Sequence, residues 1–369
     1  MINNNILINV TKKLPFTKKI KLSLYSQITA GNTKLHQLST LFWELTLRCN
    51  LNCRHCGSDC TKDAAIPDMK LEDFLKVLSE IKSVYDPSAI MIAMVGGEPL
   101  MRTDLEECGK AIRNLGFRWG TVTNGMLLTE KKFNSLLAAG LGSISVSLDG
   151  LKDSHTWMRC NKDSFENAVN AIRIIASQTR IANDVITCIH KKNINELDDI
   201  KKLLIGLGVK RWRIFNVFPK GRAKNHEGFA LTNEEFVGLM EFIRQTRAEG
   251  LIHIDYACEG FLGNYEGEAR DNYFFCRSGI NVASIMADGS ISGCLSCRRD
   301  YIQGSIYKDS FINLWENAFE MMRNRSWMKN GICKKCDVFK WCKGNGLHLR
   351  ETKDDELETC HYNMILSSK

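Results

Sequence analysis

The chain has 369 residues, long enough for one large domain and a smaller one, each burying its own core. Apolar residues at 44%, charged residues at 25% and only five prolines exclude a chain dominated by disorder or by long linkers. The net charge of +8 comes with no recognition motif and no long basic stripe interleaved with aromatics, which argues against nucleic acid as a partner. No run of about 18 apolar residues is present, and the first residues lack a signal-peptide pattern, so the expected location is cytoplasmic.

In chain order, residues 1–40 form a basic arm with Lys12, Lys13, Lys18, Lys19 and Lys21. Such an arm is either simply solvated or an attachment surface for an acidic peptide or a membrane face. From residue 41 apolar strands alternate with amphipathic helices. Strands are expected at 41–45, 89–95, 119–123, 143–148, 185–189 and 211–218. The helices between them are marked by Leu71, Phe74, Leu75, Leu78 and Ile81, then by a capping box of Thr103 and Glu106, then by Phe133, Leu136 and Leu137. Phe165, Val169, Ile172 and Ile175 mark the next helix, followed by Leu197, Ile200, Leu203 and Leu204, and Thr232 with Glu235 opens the last. Six strand–helix units in succession predict an α/β fold, a partial (β/α)6 TIM-like barrel over 41–255. Chemistry in such folds collects at the C-terminal strand ends. After residue 256 a hairpin is expected over 282–292, turning at Asp288–Gly289, then a helix with Leu314, Trp315, Phe319 and Met322. The remainder is cysteine-rich with little to make a core, so 256–369 reads as a small domain held by metal.

Fifteen cysteines are many for a reducing compartment, and ten fall in tight groups. Cys49, Cys53, Cys56 and Cys60 lie directly after the first strand; Cys294, Cys297, Cys333, Cys336, Cys342 and Cys360 lie near the end. The Cys-x3-Cys-x2-Cys spacing of Cys49, Cys53 and Cys56 suits three irons of a four-iron cube with the fourth open. On spacing alone a structural zinc site, completed by Cys60 or His55, stays open. The second strand ends in Gly96-Gly97-Glu98-Pro99, where the glycines admit a ligand near the backbone and Glu98 offers an acceptor for an ammonium group. Cys108, on a helix, and Cys188, on an apolar strand, read as core packing.

These residues together resemble the radical S-adenosylmethionine (SAM) superfamily, over about 41–223. The resemblance implies that Cys49, Cys53 and Cys56 hold a [4Fe-4S] cluster whose open iron binds SAM. Gly96, Gly97 and Glu98 would contact the SAM amino group, Asn124, Ser147 and Arg159 its ribose and carboxylate, and His55 the adenine. Thr123-Asn124-Gly125, Ser147-Leu148-Asp149-Gly150, His155, Asn193 and Pro219-Lys220-Gly221-Arg222-Ala223 follow the family in order. One departure is Cys160 after Arg159, where relatives commonly carry glycine, which puts the local backbone in question.

The later cysteines could be zinc knuckles by spacing, but behind such a barrel they resemble the SPASM extension with its auxiliary iron–sulfur clusters. By that comparison Cys333, Cys336, Cys342 and Cys360 complete one site, while Cys276 and Cys294 begin another. Gly346 stands where that second site expects a cysteine, with Cys297 as a substitute and Cys258 as a candidate fourth ligand. The resemblance implies reductive cleavage of SAM to a 5′-deoxyadenosyl radical and hydrogen abstraction from a peptide or protein, giving crosslinks, epimers or oxidised side chains. A flavodoxin- or ferredoxin-like electron donor is implied too. Leu295, where the sulfatase-maturing branch has aspartate, argues against that branch. The run from Trp43 to Cys60 also resembles a subgroup paired with a small lipoprotein. The alternatives are sulfatase-maturase-like oxidation and a non-catalytic iron–sulfur or zinc scaffold.

Overall fold

The structure, a computed structural model, describes residues 13–225, 228–257 and 259–368. It opens on helix α1 (Phe16–Leu35), so most of the described part of the basic arm is helical. Strand β1 (Thr40–Thr46) leads through the first cysteine group to α2 (Leu71–Val84). Then come β2 (Met91–Gly96), α3 (Leu105–Asn114), β3 (Arg118–Thr123), α4 (Glu130–Ala138) and β4 (Leu141–Ser147). Helices α5 (Lys152–Arg159) and α6 (Ser164–Ala176) precede β5 (Ala182–Ile189), α7 (Leu197–Gly206), β6 (Arg211–Asn216) and α8 (Asn233–Glu249).

All six expected strands pair in parallel and in chain order, β1 to β6. A seventh, β7 (His253–Tyr256), adds in parallel to β6; at four residues it is too short to show a period in the sequence. The expected hairpin forms from β8 (Val282–Ile285) and β9 (Ser290–Ser292), with Gly289 at φ +83° in the turn, where glycine carries no Cβ penalty. Strand β8 pairs in parallel with β1, and β10 (Gly304–Ser305) pairs with β9. The cysteine-rich segment thus shares one sheet with the strand–helix units. Among the described residues the order is β10-β9-β8-β1-β2-β3-β4-β5-β6-β7, so the barrel stays open.

Short helices α9 (Phe311–Asn317), α10 (Glu320–Arg323), α11 (Phe339–Cys342) and α12 (His361–Ser367) carry the rest. The core runs continuously through both regions, with Trp43, Trp119, Trp212 and Trp315 fully buried. Thr232 and Glu235 form the expected capping box. Thr103 and Glu106 do not. Asp104 occupies that N-cap with its carboxylate turned to Arg102, and Glu106 instead takes Lys132 and Ser135 of α4. No helix among the described residues is long and apolar enough to cross a membrane.

Candidate active site

Strand β1 ends at Thr46, and the chain then turns across the C-terminal ends of β2 and β3 as the cysteine loop. Gly97 N donates to Thr46 O at 2.8 Å and Glu98 N to Arg48 O at 2.9 Å, so the two chains touch backbone to backbone. A Cβ at Gly96 would stand 2.1 Å from Thr46 O, and one at Gly97 2.2 Å from Arg48 O. The glycine pair is therefore required by the approach of the cysteine loop itself. On the far side Gly221, at φ +53°, lets Arg222 N donate to Cys56 O at 3.0 Å; a Cβ there would lie 2.3 Å from that same oxygen. Arg222 adds a bond from Nε to Cys53 O at 2.8 Å.

The loop gathers Cys49, Cys53, Cys56 and Cys60 with Leu51 into one cluster. Each of the first three sulfurs accepts an N–H: Leu51 N to Cys49 at 3.5 Å, Arg159 Nη1 to Cys53 at 3.7 Å, and Cys60 N to Cys56 at 3.3 Å. Burial pushes Cys49 up to about 11 and raises Cys53. A hydrogen bond shared with the Cys60 thiol draws Cys56 down to about 6 and pushes Cys60 up. Cys60 is thus seated against Cys56.

A cavity of about 330 Å³ opens on these thiols. Its wall brings together Gly96, Gly97, Asn124, Ser147, Arg159 and His55, the residues singled out from the sequence as cofactor contacts. Glu98 does not line that cavity. Its carboxylate is buried and accepts from Leu100 N at 3.1 Å, Thr123 Oγ1 at 2.8 Å and Asn124 N at 2.8 Å. It ties the end of β2 to the end of β3, leaving the Gly96–Gly97 backbone as the wall on that side. Burial raises its pKa.

Arg159 reaches the cavity from the last residue of α5. Cys160 caps that helix in the left-handed region, φ 53° and ψ 37°, so the backbone form that glycine would favour is kept despite the cysteine. Arg159 Nη2 lies 2.7 Å from Asp149 Oδ2, and Arg159 Nε has no hydrogen-bond partner among the described residues. Burial alone would raise Asp149, but the Arg159 guanidinium, with His55, His155 and the Cys188 N–H, more than offsets it and holds the carboxyl at about 2. Burial drives His55 down to about 4, and its Nε2 stands 3.5 Å from Asp149.

Sequence reasoning missed three residues here. Asp149 is the buried counter-ion of the site. Cys188, read as core, lines the cavity from β5 and meets His55 and Asp149, with their ligand atoms all within 4.8 Å of one another. Glu44, on β1, lines it from below and takes Arg298 Nη2 at 2.6 Å and Ala287 N at 3.1 Å. A polar residue inside an otherwise apolar strand was the available signal for Glu44. Asn193 is a staple rather than a wall, donating to Asp149 O at 3.0 Å and Cys188 O at 2.9 Å.

The later cysteines fall into two sets. Cys294 and Cys297 share a hydrogen bond that draws Cys294 down to about 7 and raises Cys297, and Cys276 raises Cys297 further. Cys333, Cys336, Cys342 and Cys360 interact with one another, and Asn345 N donates to Cys342 at 3.2 Å. A cavity of about 660 Å³ lies between α1 and Cys276, Cys336 and Cys342. At Gly346, where a cysteine was expected, a Cβ would sit 2.6 Å from the His348 ring and 2.7 Å from Glu259 O. Packing therefore closes that position. Cys258 lies outside the described residues.

Residues 43–204 match the radical SAM superfamily and residues 276–337 match SPASM, an iron–sulfur cluster-binding domain. The AdoMet-dependent heme synthase of Methanosarcina barkeri is 26% identical over 338 residues, covering 86% of this chain and 93% of its own. The PqqA peptide cyclase of Rhizobium meliloti is 26% identical over 302 residues, covering 80% and 78%. Among solved structures, anSMEcpe with bound AdoMet and Cp18Cys peptide has the same fold, at TM-score 0.68 and 21% identity, covering 89% of this chain and 94% of that one. Streptococcus suis SuiB bound to precursor peptide SuiA also has TM-score 0.68, at 15% identity, covering 92% and 80%. This chain belongs to the radical SAM superfamily, with a SPASM domain that makes it a carrier of auxiliary iron–sulfur clusters as well as of the SAM-binding [4Fe-4S] cluster.

Proposed function

We propose that this protein cleaves SAM reductively and directs the resulting radical at a peptide or protein side chain. The observation that carries the reading is the convergence of three N–H-bonded thiols and the Gly96–Gly97, Asn124, Ser147 and Arg159 wall on one cavity. The donor set fits the group. Cys49, Cys53 and Cys56 would hold the cluster, and N–H bonds to sulfur stabilise the thiolates and tune such clusters. The unpartnered Arg159 Nε suits a carboxylate, and the open Gly96–Gly97 backbone suits an ammonium group. His55 and Ser147 are left to the nucleoside end. The bound cluster and SAM supply a one-electron C–S cleavage that makes a hydrogen-abstracting radical. The chain's own residues orient SAM, keep water from the thiols through Leu51 and Val95, and leave the open side of the sheet for a substrate.

In the second cysteine region, Cys333, Cys336, Cys342 and Cys360 would hold one auxiliary cluster. Cys276, Cys294 and Cys297 would hold the other, with Cys297 replacing the ligand that Gly346 cannot supply. A flavodoxin- or ferredoxin-like protein would deliver the electrons. Peptide as substrate is favoured by the PqqA peptide cyclase relative and by the peptide-bound neighbours. Leu295 lines the cavity where the sulfatase-maturing branch carries aspartate, which speaks against that oxidation.

A second reading, action on an iron porphyrin, rests on the heme synthase relative and its 93% coverage. The two are separated by incubating anaerobically reconstituted, reduced protein with SAM and either a short peptide encoded beside it or an iron porphyrin. The peptide reading expects 5′-deoxyadenosine and a mass change only with the peptide. Turnover with the porphyrin alone would replace it.

A further inference from the structure

Helix α1 carries two apolar faces. One faces the body: Leu22 is buried, Tyr25 packs edge-on against Tyr273 at 5.5 Å, Lys18 Nζ donates to Glu266 O at 2.6 Å, and Trp341 Nε1 donates to Ser23 Oγ at 3.2 Å. These contacts come from several elements and fix the helix's rotation. The other face points away. Phe16, Ile20, Leu24 and Ile28 recur every four residues and are 77%, 46%, 57% and 61% exposed; Leu35 follows at 65%. Half of the ten large apolar side chains exposed among the described residues stand on this one helix. Scattered apolar residues on a surface need no explanation, but a stripe of this length does.

The charge that the helix itself carries has one sign; of its neighbours, Glu268 pairs with Lys18 at 3.2 Å and Glu316 with His36 at 3.0 Å, the cap of the helix. The first acidic residue of the chain is Glu44, while Lys12, Lys13, Lys18, Lys19, Lys21 and Lys34 precede it. Lys13, Lys19, Lys21 and Lys34 are exposed, and Lys340 and Lys343, on and just after α11, are exposed beside the contact of Trp341 with α1. We propose that the outer face of α1 binds an anionic lipid surface, with Phe16, Ile20, Leu24 and Ile28 entering the headgroup boundary and the flanking lysines meeting lipid phosphates. An apolar stripe between lysines, without acids, is what lying in a membrane interface requires. A second copy of the chain complements it poorly, because two such helices face to face would crowd ammonium groups with no carboxylate between them. The proposal does not depend on the substrate of the radical site.

The test is flotation of the reconstituted full-length holoprotein with vesicles of phosphatidylcholine alone and of phosphatidylcholine containing about three-tenths phosphatidylglycerol. Binding is expected to the second kind only, weakened by salt near 0.5 M. The double variant Leu24→Ser/Ile28→Ser should lower it by about tenfold or more, with iron content and far-UV circular dichroism unchanged. If that variant loses iron, Lys19→Glu/Lys21→Glu asks the same question through charge alone and is expected to abolish binding. Equal flotation with both lipids, no flotation, or variants that float like wild type would overturn the proposal. So would sizing that shows a dimer broken by Leu24→Ser/Ile28→Ser without lipid binding, or capture of an acidic protein in its place.

Discussion

Arg159 Nη2 stands 2.7 Å from Asp149 Oδ2, joining the last residue of α5, which lines the cavity beside Cys53, to the buried loop after β4. The pair is buried, so its members cannot turn to water if separated. It fixes the guanidinium while leaving Nε unpartnered.

Asp149→Asn strands that cation. We expect a loss of about 3–5 kcal/mol in denaturant unfolding, together with SAM affinity weakened by about tenfold or more. Affinity that is unchanged in equilibrium dialysis would mean that Arg159 takes no part in SAM binding.

Cys160 sits in the left-handed region at φ 53°, a conformation that costs a non-glycine residue about 1 kcal/mol. Cys160→Gly should therefore raise stability, by up to about that amount, because glycine's freedom in the unfolded chain cancels part of the gain. Iron content should be unaffected. A destabilised Cys160→Gly protein would show that the exposed thiol has a role that the backbone argument omits.

Gly221→Ala pushes a methyl group against Cys56 O, 2.3 Å away. The cysteine loop must shift, and iron and sulfide per chain should fall, along with the reduced-cluster electron paramagnetic resonance signal. Gly206→Ala is the control, since its Cβ would meet nothing within 4 Å. Equal loading of both variants would contradict the close contact between the β6 loop and the cysteines.

His155 accepts from Asp149 N at 2.9 Å through Nδ1 and is held neutral by burial, at about 3 against an ordinary 6.5. The unfolded chain binds this proton first as pH falls. The histidine's stabilisation is thus complete above pH 6.5 and is lost progressively toward the folded value. Between pH 7 and 5.5 it should account for about 1 kcal/mol, as should His190, which burial lowers to about 4. Urea unfolding of His155→Gln at the two pH values should show the drop reduced by that share; an identical drop would mean that His155 is protonated when folded.

Much of the site was legible before the fold. The spacing of Cys49, Cys53 and Cys56, the glycines after β2, and Asn124, Ser147 and Arg159 at or just beyond later strand ends all meet at one cavity. Parallel strands in chain order bring such positions to the same edge. What could not be read was pairing across elements. Glu98 has the chemistry of an ammonium acceptor, and nothing in the sequence showed that the Asn124 N–H and Thr123 hydroxyl also bond to it. Cys188 lies on a strand that reads as apolar, yet the strand's alternation turns it to the cavity. The Thr103 cap was displaced by the Arg102–Asp104 pair. Helix α1 read only as a basic arm because its two apolar faces blur a single helical period.

The central claim is that Cys49, Cys53 and Cys56 form the SAM-cleaving centre, and 5′-deoxyadenosine release tests it most directly. Anaerobically reconstituted, reduced wild-type protein with SAM and a candidate peptide should release it. Cys53→Ala should release none, while still holding the iron of the Cys333, Cys336, Cys342 and Cys360 site. Release that survives in Cys53→Ala, or a fully loaded wild type that never releases it with peptide present, would contradict the account.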